Sequence, residues 1–154
     1  MRPANVDELT EGDPREVALE NARRKALAIS GALVLGADTD VALDGDILGK
    51  PRDAAHAREL VGRLNARTHE VVGGIALARD GAVVATAVEI TRVTFHDCDG
   101  ATLDAYIDTG EWEGRAGGYA IQGEGGALVA TVDGDYLNVV GLPLDRLREL
   151  LTEV

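Results

Sequence analysis

Three residues of this chain stand where a carboxylate, an ammonium and an amide could work on a phosphorylated ligand. Asp38 follows the short apolar run 32–35 in Gly36-Ala37-Asp38-Thr39, and α/β proteins present functional groups at such strand ends. A carboxylate there could bind a hard divalent cation or orient a water for attack on phosphorus. It could equally cap the following turn. Asp40, two residues on, reads as a solvated neighbour. Lys50 lies in Gly45-x-x-x-Gly49-Lys50-Pro51, one residue short of the Walker A spacing and with Pro51 where the Mg²⁺-binding Ser or Thr belongs. The Walker A reading is therefore rejected. A rigid Gly-Lys-Pro turn can still aim one ammonium at a phosphate as a point charge, or merely expose a lysine. Gln122 sits among Gly117, Gly118, Gly123, Gly125 and Gly126. Glycines admit a planar ligand close to the backbone, and the amide offers donor and acceptor to a base edge. A glycine-rich hairpin with a half-buried glutamine is the alternative, and Thr39 is ambiguous in the same way. Glu8 and Lys25, by themselves, read as solvated charges flanking the first helix, Glu8 with the chemistry of a metal ligand.

Other reactive side chains fall into no catalytic pattern. Cys98 is the single cysteine, so no intrachain disulfide can form and a reducing compartment, the cytoplasm, is expected. Its neighbours do not supply the electropositive setting a nucleophilic thiolate needs. His56, His69 and His96 lack zinc-site spacing. Trp112, in a glycine-rich loop, suits a lid anchor or an interface. The formal net charge of −12 repels polyanions, which argues against DNA or RNA as partners. A small phosphorylated ligand can still arrive with a divalent cation. No apolar segment suits a membrane span, and residues 1–11 carry no signal-like apolar stretch.

The elements that must hold these residues follow from caps and periodicity. Asp13-Pro14-Arg15-Glu16 opens a helix, with Ala18, Ala22, Ala26 and Ile29 at helical spacing and Gly31 as its C′ residue. Asp44-Gly45 reads as a hairpin between two short strands. Asp53 caps a second helix whose inner face is Ala57, Leu60, Val61 and Leu64. Two long strands, 70–78 and 82–95, meet at Asp80-Gly81, the second with a bulge or bend. Asp99 caps a short helix closing near Gly110. Strands are predicted at 119–122, 127–132 and 136–140, and Pro143 opens a helix with Leu144, Leu147, Leu150 and Leu151 inward. At 154 residues one α/β domain is expected, a mixed central sheet flanked by helices.

Taken in order, Val6-Asp7-Glu8, Lys25-Ala26, Gly36-Ala37-Asp38-Thr39, Leu43-Asp44-Gly45, Ile47-Leu48-Gly49-Lys50-Pro51, Arg67-Thr68-His69-Glu70-Val71, Tyr119-Ala120-Ile121-Gln122-Gly123 and Asn138-Val139-Val140-Gly141-Leu142-Pro143-Leu144 resemble the Maf family of nucleoside triphosphate pyrophosphatases. The resemblance implies hydrolysis of a nucleoside triphosphate to monophosphate and pyrophosphate. It implies Asp38 as proton acceptor and metal contact, Glu8 as second metal ligand, and Lys25 and Lys50 facing the phosphates, with Mg²⁺ or Mn²⁺ as the cation. Thr39 and Gln122 match positions that mark the dTTP/UTP branch, and a homodimer is implied as well. The family's Ser-x-Ser-Pro-Arg-Arg loop, expected upstream of Val6, has no counterpart, so the chain reads as N-terminally truncated relative to that family. The alternative is a catalytically impaired nucleotide-binding or regulatory member linked to cell division.

Overall fold

Caps and glycine turns fix most element boundaries in the computed structural model, which describes residues 4–154. Residues 1–3 of the segment read as lacking a signal stretch lie outside that description. Helix α1 (Pro14–Leu27) starts where Asp13 accepts hydrogen bonds from the Arg15 and Glu16 N–H groups, and Pro14 occupies the first turn. It stops at Ala28 rather than running on to Gly31. Strand β1 (Val34–Leu43) returns through Asp44 and Gly45 into β2 (Asp46–Leu48). Both turn residues have positive φ (52° and 83°), the combination a two-residue hairpin with native twist requires. Asp53 caps α2 (Ala54–Leu64), whose four predicted inner residues are all buried. Strands β3 (Thr68–Arg79) and β4 (Ala82–Phe95) meet at a second positive-φ pair, Asp80-Gly81. Then follow α3 (Gly100–Asp108), β5 (Val129–Asp133), α4 (Tyr136–Val140) and α5 (Leu144–Leu151).

The five strands run in the order β2-β1-β3-β4-β5. The α/β class holds, but the sheet expected to be mixed pairs antiparallel throughout the described residues. The reason lies in the connections. Two tight hairpins set β1 against β2 and β3 against β4, and the return through α2 lays β3 along the other side of β1 in the opposite sense. Register shifts fall at Leu77/Ala78 and at Thr94/Phe95, the latter inside the strand where a bend was expected.

One face of the sheet carries α1, and the approach is close because the contact is made by small residues. A Cβ at Gly36 would collide with the Ala22 and Ala26 backbone, and one at Gly74 with Ala18. The opposite face carries the larger core, where Val41, Leu43, Val71, Val93 and Phe95 meet Leu60, Val61 and Leu64 of α2 and Leu103 and Tyr106 of α3.

Two predicted strands are absent. Residues 119–122 lie between two short 3-10 helices, Ala116–Gly118 and Glu124–Leu128, with a turn at 121–123. Gly117 and Gly118 take positive φ (69° and 85°), which breaks the extended path. Residues 136–140 form α4, because Asp135 caps it by accepting from Leu137 N–H. Tertiary bonds to Asn138 then override the β-propensity of Val139 and Val140. In α5 only Leu150 is buried, while Leu144 and Leu151 remain exposed. No helix among the described residues is long and apolar enough to cross a membrane.

Candidate active site

Asp38 does not sit past the end of a strand. It lies within β1, directly opposite Gly74 of β3, because β1 continues through Leu43 and its last three residues pair with β2. Charged residues at 38 and 40 interrupt the apolar pattern and hide this continuation from a sequence reading. Strand alternation turns Asp38 and Asp40 toward α1 and Thr39 toward the other face. Because small residues let α1 lie close, Asn21 and Lys25, four residues apart on one helix face, both reach Asp38. Lys25 Nζ is 2.8 Å from Asp38 Oδ1 and 3.0 Å from Glu8 Oε1. Asn21 Nδ2 donates to Asp38 Oδ2 at 3.4 Å.

The segment bearing Glu8 has no regular structure of its own, and side chains of α1 hold it. Asn21, only 1% exposed, accepts from Leu9 N–H at 2.7 Å and donates to Leu9 C=O at 2.9 Å. Arg24 Nη1 donates to Asp7 C=O at 2.8 Å. Asn21 and Arg24 went unrecognised in the sequence, although Asn21 lies one helical turn before Lys25.

The electrostatics are tightly linked. Burial alone would lower the Lys25 pKa, but hydrogen bonds to Asp38 and Glu8 outweigh it and the net shift is upward. Asp40 is not the solvated neighbour expected. Burial first, then the negative charges of Asp38 and Glu8, push its carboxyl up to about 7, with Lys25 offsetting part of the rise. Its Oδ2 is buried and has no hydrogen-bond partner.

Beside this cluster opens a cleft of about 740 Å³ lined by Lys25, Asp38, Thr39, Lys50 and Gln122 among others. Asp38 and Thr39 point to opposite faces of β1, so the cleft wraps round the β1 edge where β2 no longer pairs with it. Glu8 does not line the cleft and reaches it through Lys25. Lys50, in the β2–α2 turn, is exposed and makes no ion pair among the described residues. That turn is anchored to the opposite wall, since Gly117 N–H donates to Gly49 C=O at 3.2 Å. Gln122, an exposed turn residue rather than a strand end, completes that wall.

The floor is formed by Val139, Val140 and Gly141. Asn138, fully buried, fixes it by donating to Val71 C=O, Glu89 C=O and Thr91 Oγ1 at 3.1–3.2 Å. A Cβ at Gly73 would strike the Asn138 amide, so that glycine makes the room. Thr39 Oγ1 lies 3.4 Å from Gly141 C=O. Behind the cleft, His69 Nε2 and Tyr119 OH are 2.7 Å apart. Burial lowers the His69 pKa to about 4 and raises that of Tyr119. Trp112 donates to Ile107 C=O at 3.0 Å and packs against the larger core.

Glu8 and Asp38 present hard carboxylate oxygens, and the orphaned Oδ2 of Asp40 lies beside them, a donor set suited to a divalent cation. Lys25 now stands between the two carboxylates. Among the described residues no group of three or more His, Cys, Asp or Glu is arranged to hold a metal ion, so a cation on Glu8 and Asp38 would need further oxygen ligands from outside the protein.

A family model described as "Maf-like protein" matches residues 1–154. A dTTP/UTP pyrophosphatase of Symbiobacterium thermophilum is 47% identical over 144 residues, covering 91% of this chain and 74% of the relative. One from an Anaeromyxobacter species is 48% identical, covering 98% and 77%. One from Pyrococcus furiosus is 42% identical, covering 94% and 78%.

Proposed function

The chain belongs to the Maf family, and from that premise we propose that its cleft hydrolyses dTTP and UTP, or modified pyrimidine nucleotides, to the monophosphate and pyrophosphate. The observation that carries this reading is the convergence of Asp38, Lys25 and Lys50 on one cleft whose far wall offers Gln122. That cleft is lined by a carboxylate, two ammonium groups and an amide whose donor and acceptor suit a base edge.

In the reaction, water oxygen bonds to the α-phosphorus, the bond from that phosphorus to the α,β-bridging oxygen breaks, and the bridging oxygen departs with pyrophosphate. Asp38 orients the water and accepts its proton, which then passes to solvent. Lys25 begins bound to Asp38 and Glu8. An arriving phosphate competes for its ammonium, so Lys25 offsets charge on the phosphate chain as the carboxylates are released for their own roles. Lys50 acts as a point charge on the same chain. Glu8 and Asp38 would hold a divalent cation, Mg²⁺ or Mn²⁺, which when bound withdraws charge from the phosphate oxygens. Thr39 and Gln122 contact the nucleoside end. A cytoplasmic setting, in keeping with the lone Cys98, and a homodimer complete the proposal.

The test is product analysis with dTTP and UTP in the presence of Mg²⁺. Monophosphate and pyrophosphate in equal amounts support the reading. Release of orthophosphate sinks it. Nucleotide-dependent thermal stabilisation without turnover would indicate binding alone.

A further inference from the structure

Glu111 lies at the start of the loop after α3 and lines the cleft, yet it has no place in the reaction above. Its carboxylate is spent on backbone. Oε2 accepts from Glu124 N–H at 2.8 Å and Oε1 accepts from Gly125 N–H at 2.9 Å. Those donors open the 3-10 helix Glu124–Leu128, an end whose unpaired N–H groups favour a negative charge. Arg115 also lines the cleft but makes no ion pair with Glu111, so the carboxylate is not there to neutralise it. Glycine at 123 suits this clamp: a Cβ there would meet the Glu111 carboxylate and push that flexible side chain aside.

Gln122 sits between this clamp and Ile121, which is buried. The turn that carries it is closed by Gly123 N–H donating to Ala120 C=O at 3.1 Å. The Gln122 amide itself makes no side-chain hydrogen bond among the described residues. Its position therefore depends on the backbone that holds it. A recognition group held in place before the ligand arrives loses less conformational freedom on binding than one on a loose turn.

We infer that Glu111 is a positioning residue for base recognition, clamping the 121–125 turn so that the Gln122 amide is preset toward the nucleobase. This rests on the pyrimidine reading of the cleft. It assigns Glu111 no contact with ligand, and it makes the contributions of Glu111 and Gln122 to binding interdependent.

The experiment measures dTMP affinity by calorimetry for the wild type, Glu111→Ala, Gln122→Ala and the double variant. Each single variant is expected to weaken dTMP by roughly five- to tenfold, the worth of one hydrogen bond. The double variant is expected to be no weaker than Gln122→Ala alone, because the clamp has nothing to position once the amide is gone. Additive losses, or Glu111→Ala binding dTMP as the wild type does, overturn the inference. Should Glu111→Ala fail to fold, Glu111→Gln keeps one accepting oxygen and is expected to show a smaller loss that again vanishes in the Gln122→Ala background; an undiminished loss there overturns the inference. A wild type that cleaves dTTP while Gln122→Ala binds dTMP normally overturns it while leaving the hydrolytic reading intact. A wild type that cleaves dTTP without binding dTMP overturns the inference alone, and one that does neither overturns both.

Discussion

The Asn21 side chain pairs with the Leu9 backbone as a neighbouring strand would, accepting from its N–H at 2.7 Å and donating to its C=O at 2.9 Å. One buried amide on α1 thereby fixes the irregular segment that carries Glu8, and the same Nδ2 reaches Asp38 at 3.4 Å. Asn21→Ala removes both backbone partners. It is expected to cost about 1 kcal/mol of stability in urea denaturation, the net worth of hydrogen bonds to a backbone that water can partly reach. It should also lower pyrophosphate release from dTTP about tenfold by loosening Glu8.

Lys25 carries the opposite load. Lys25→Met keeps length and apolar stem but strips the cation from between Glu8 and Asp38. A hundredfold fall in kcat/KM for dTTP is expected, the scale of losing one charge-stabilising donor in an active site. Steady-state kinetics check it; a fall under threefold would remove Lys25 from the phosphate-binding role.

Asp40 makes stability depend on pH. Its carboxyl is raised from 3.8 to about 7, so between those values the folded state holds a proton the unfolded chain has released. Its contribution is fully present below pH 3.8 and is lost as pH rises through about 7. Asp40→Asn should therefore be more stable than wild type at pH 8, by about 1 kcal/mol once solvent screening is allowed for. The gain should shrink toward pH 4. Thermal melts in metal-free buffer across that range read the effect, and a pH-independent difference would contradict it.

His69 works in the other direction. Burial holds its pKa at about 4 against an ordinary 6.5, so between these values the unfolded state binds a proton that the folded state refuses. Stability contributed by the neutral ring is present above pH 6.5 and is lost as pH falls through about 4. A displacement of that size is worth roughly 3 kcal/mol. His69→Gln, which cannot titrate, should lose that much less stability than wild type between pH 7 and pH 4 in denaturant titrations. Equal losses would contradict the assignment.

Much of this was legible in the residues themselves. Asp13, Asp53 and Asp99 each cap the helix they were expected to cap, and Asp44-Gly45 and Asp80-Gly81 turn the chain where expected, because these signals are local. The strand through Asp38 was cut short because its two carboxylates face a helix packed through glycine and alanine, and only tertiary structure reveals that surface. The helix at Tyr136–Val140 was mistaken for a strand because Asn138 is held by partners 47 to 67 residues away. Glu111 and Asn21 escaped notice for the same reason. Each serves a backbone segment 12 to 14 residues distant, and no local pattern marks such a tie.

The central claim is that Asp38 accepts the proton of the attacking water. Its most direct test is pyrophosphate release from dTTP by Asp38→Asn beside wild type, with dTMP binding measured on both proteins. Asn preserves size and the hydrogen bond from Lys25 but cannot take the proton at neutral pH. The expected result is turnover lowered at least a hundredfold with dTMP affinity within about threefold of wild type. Full turnover by Asp38→Asn would contradict the account.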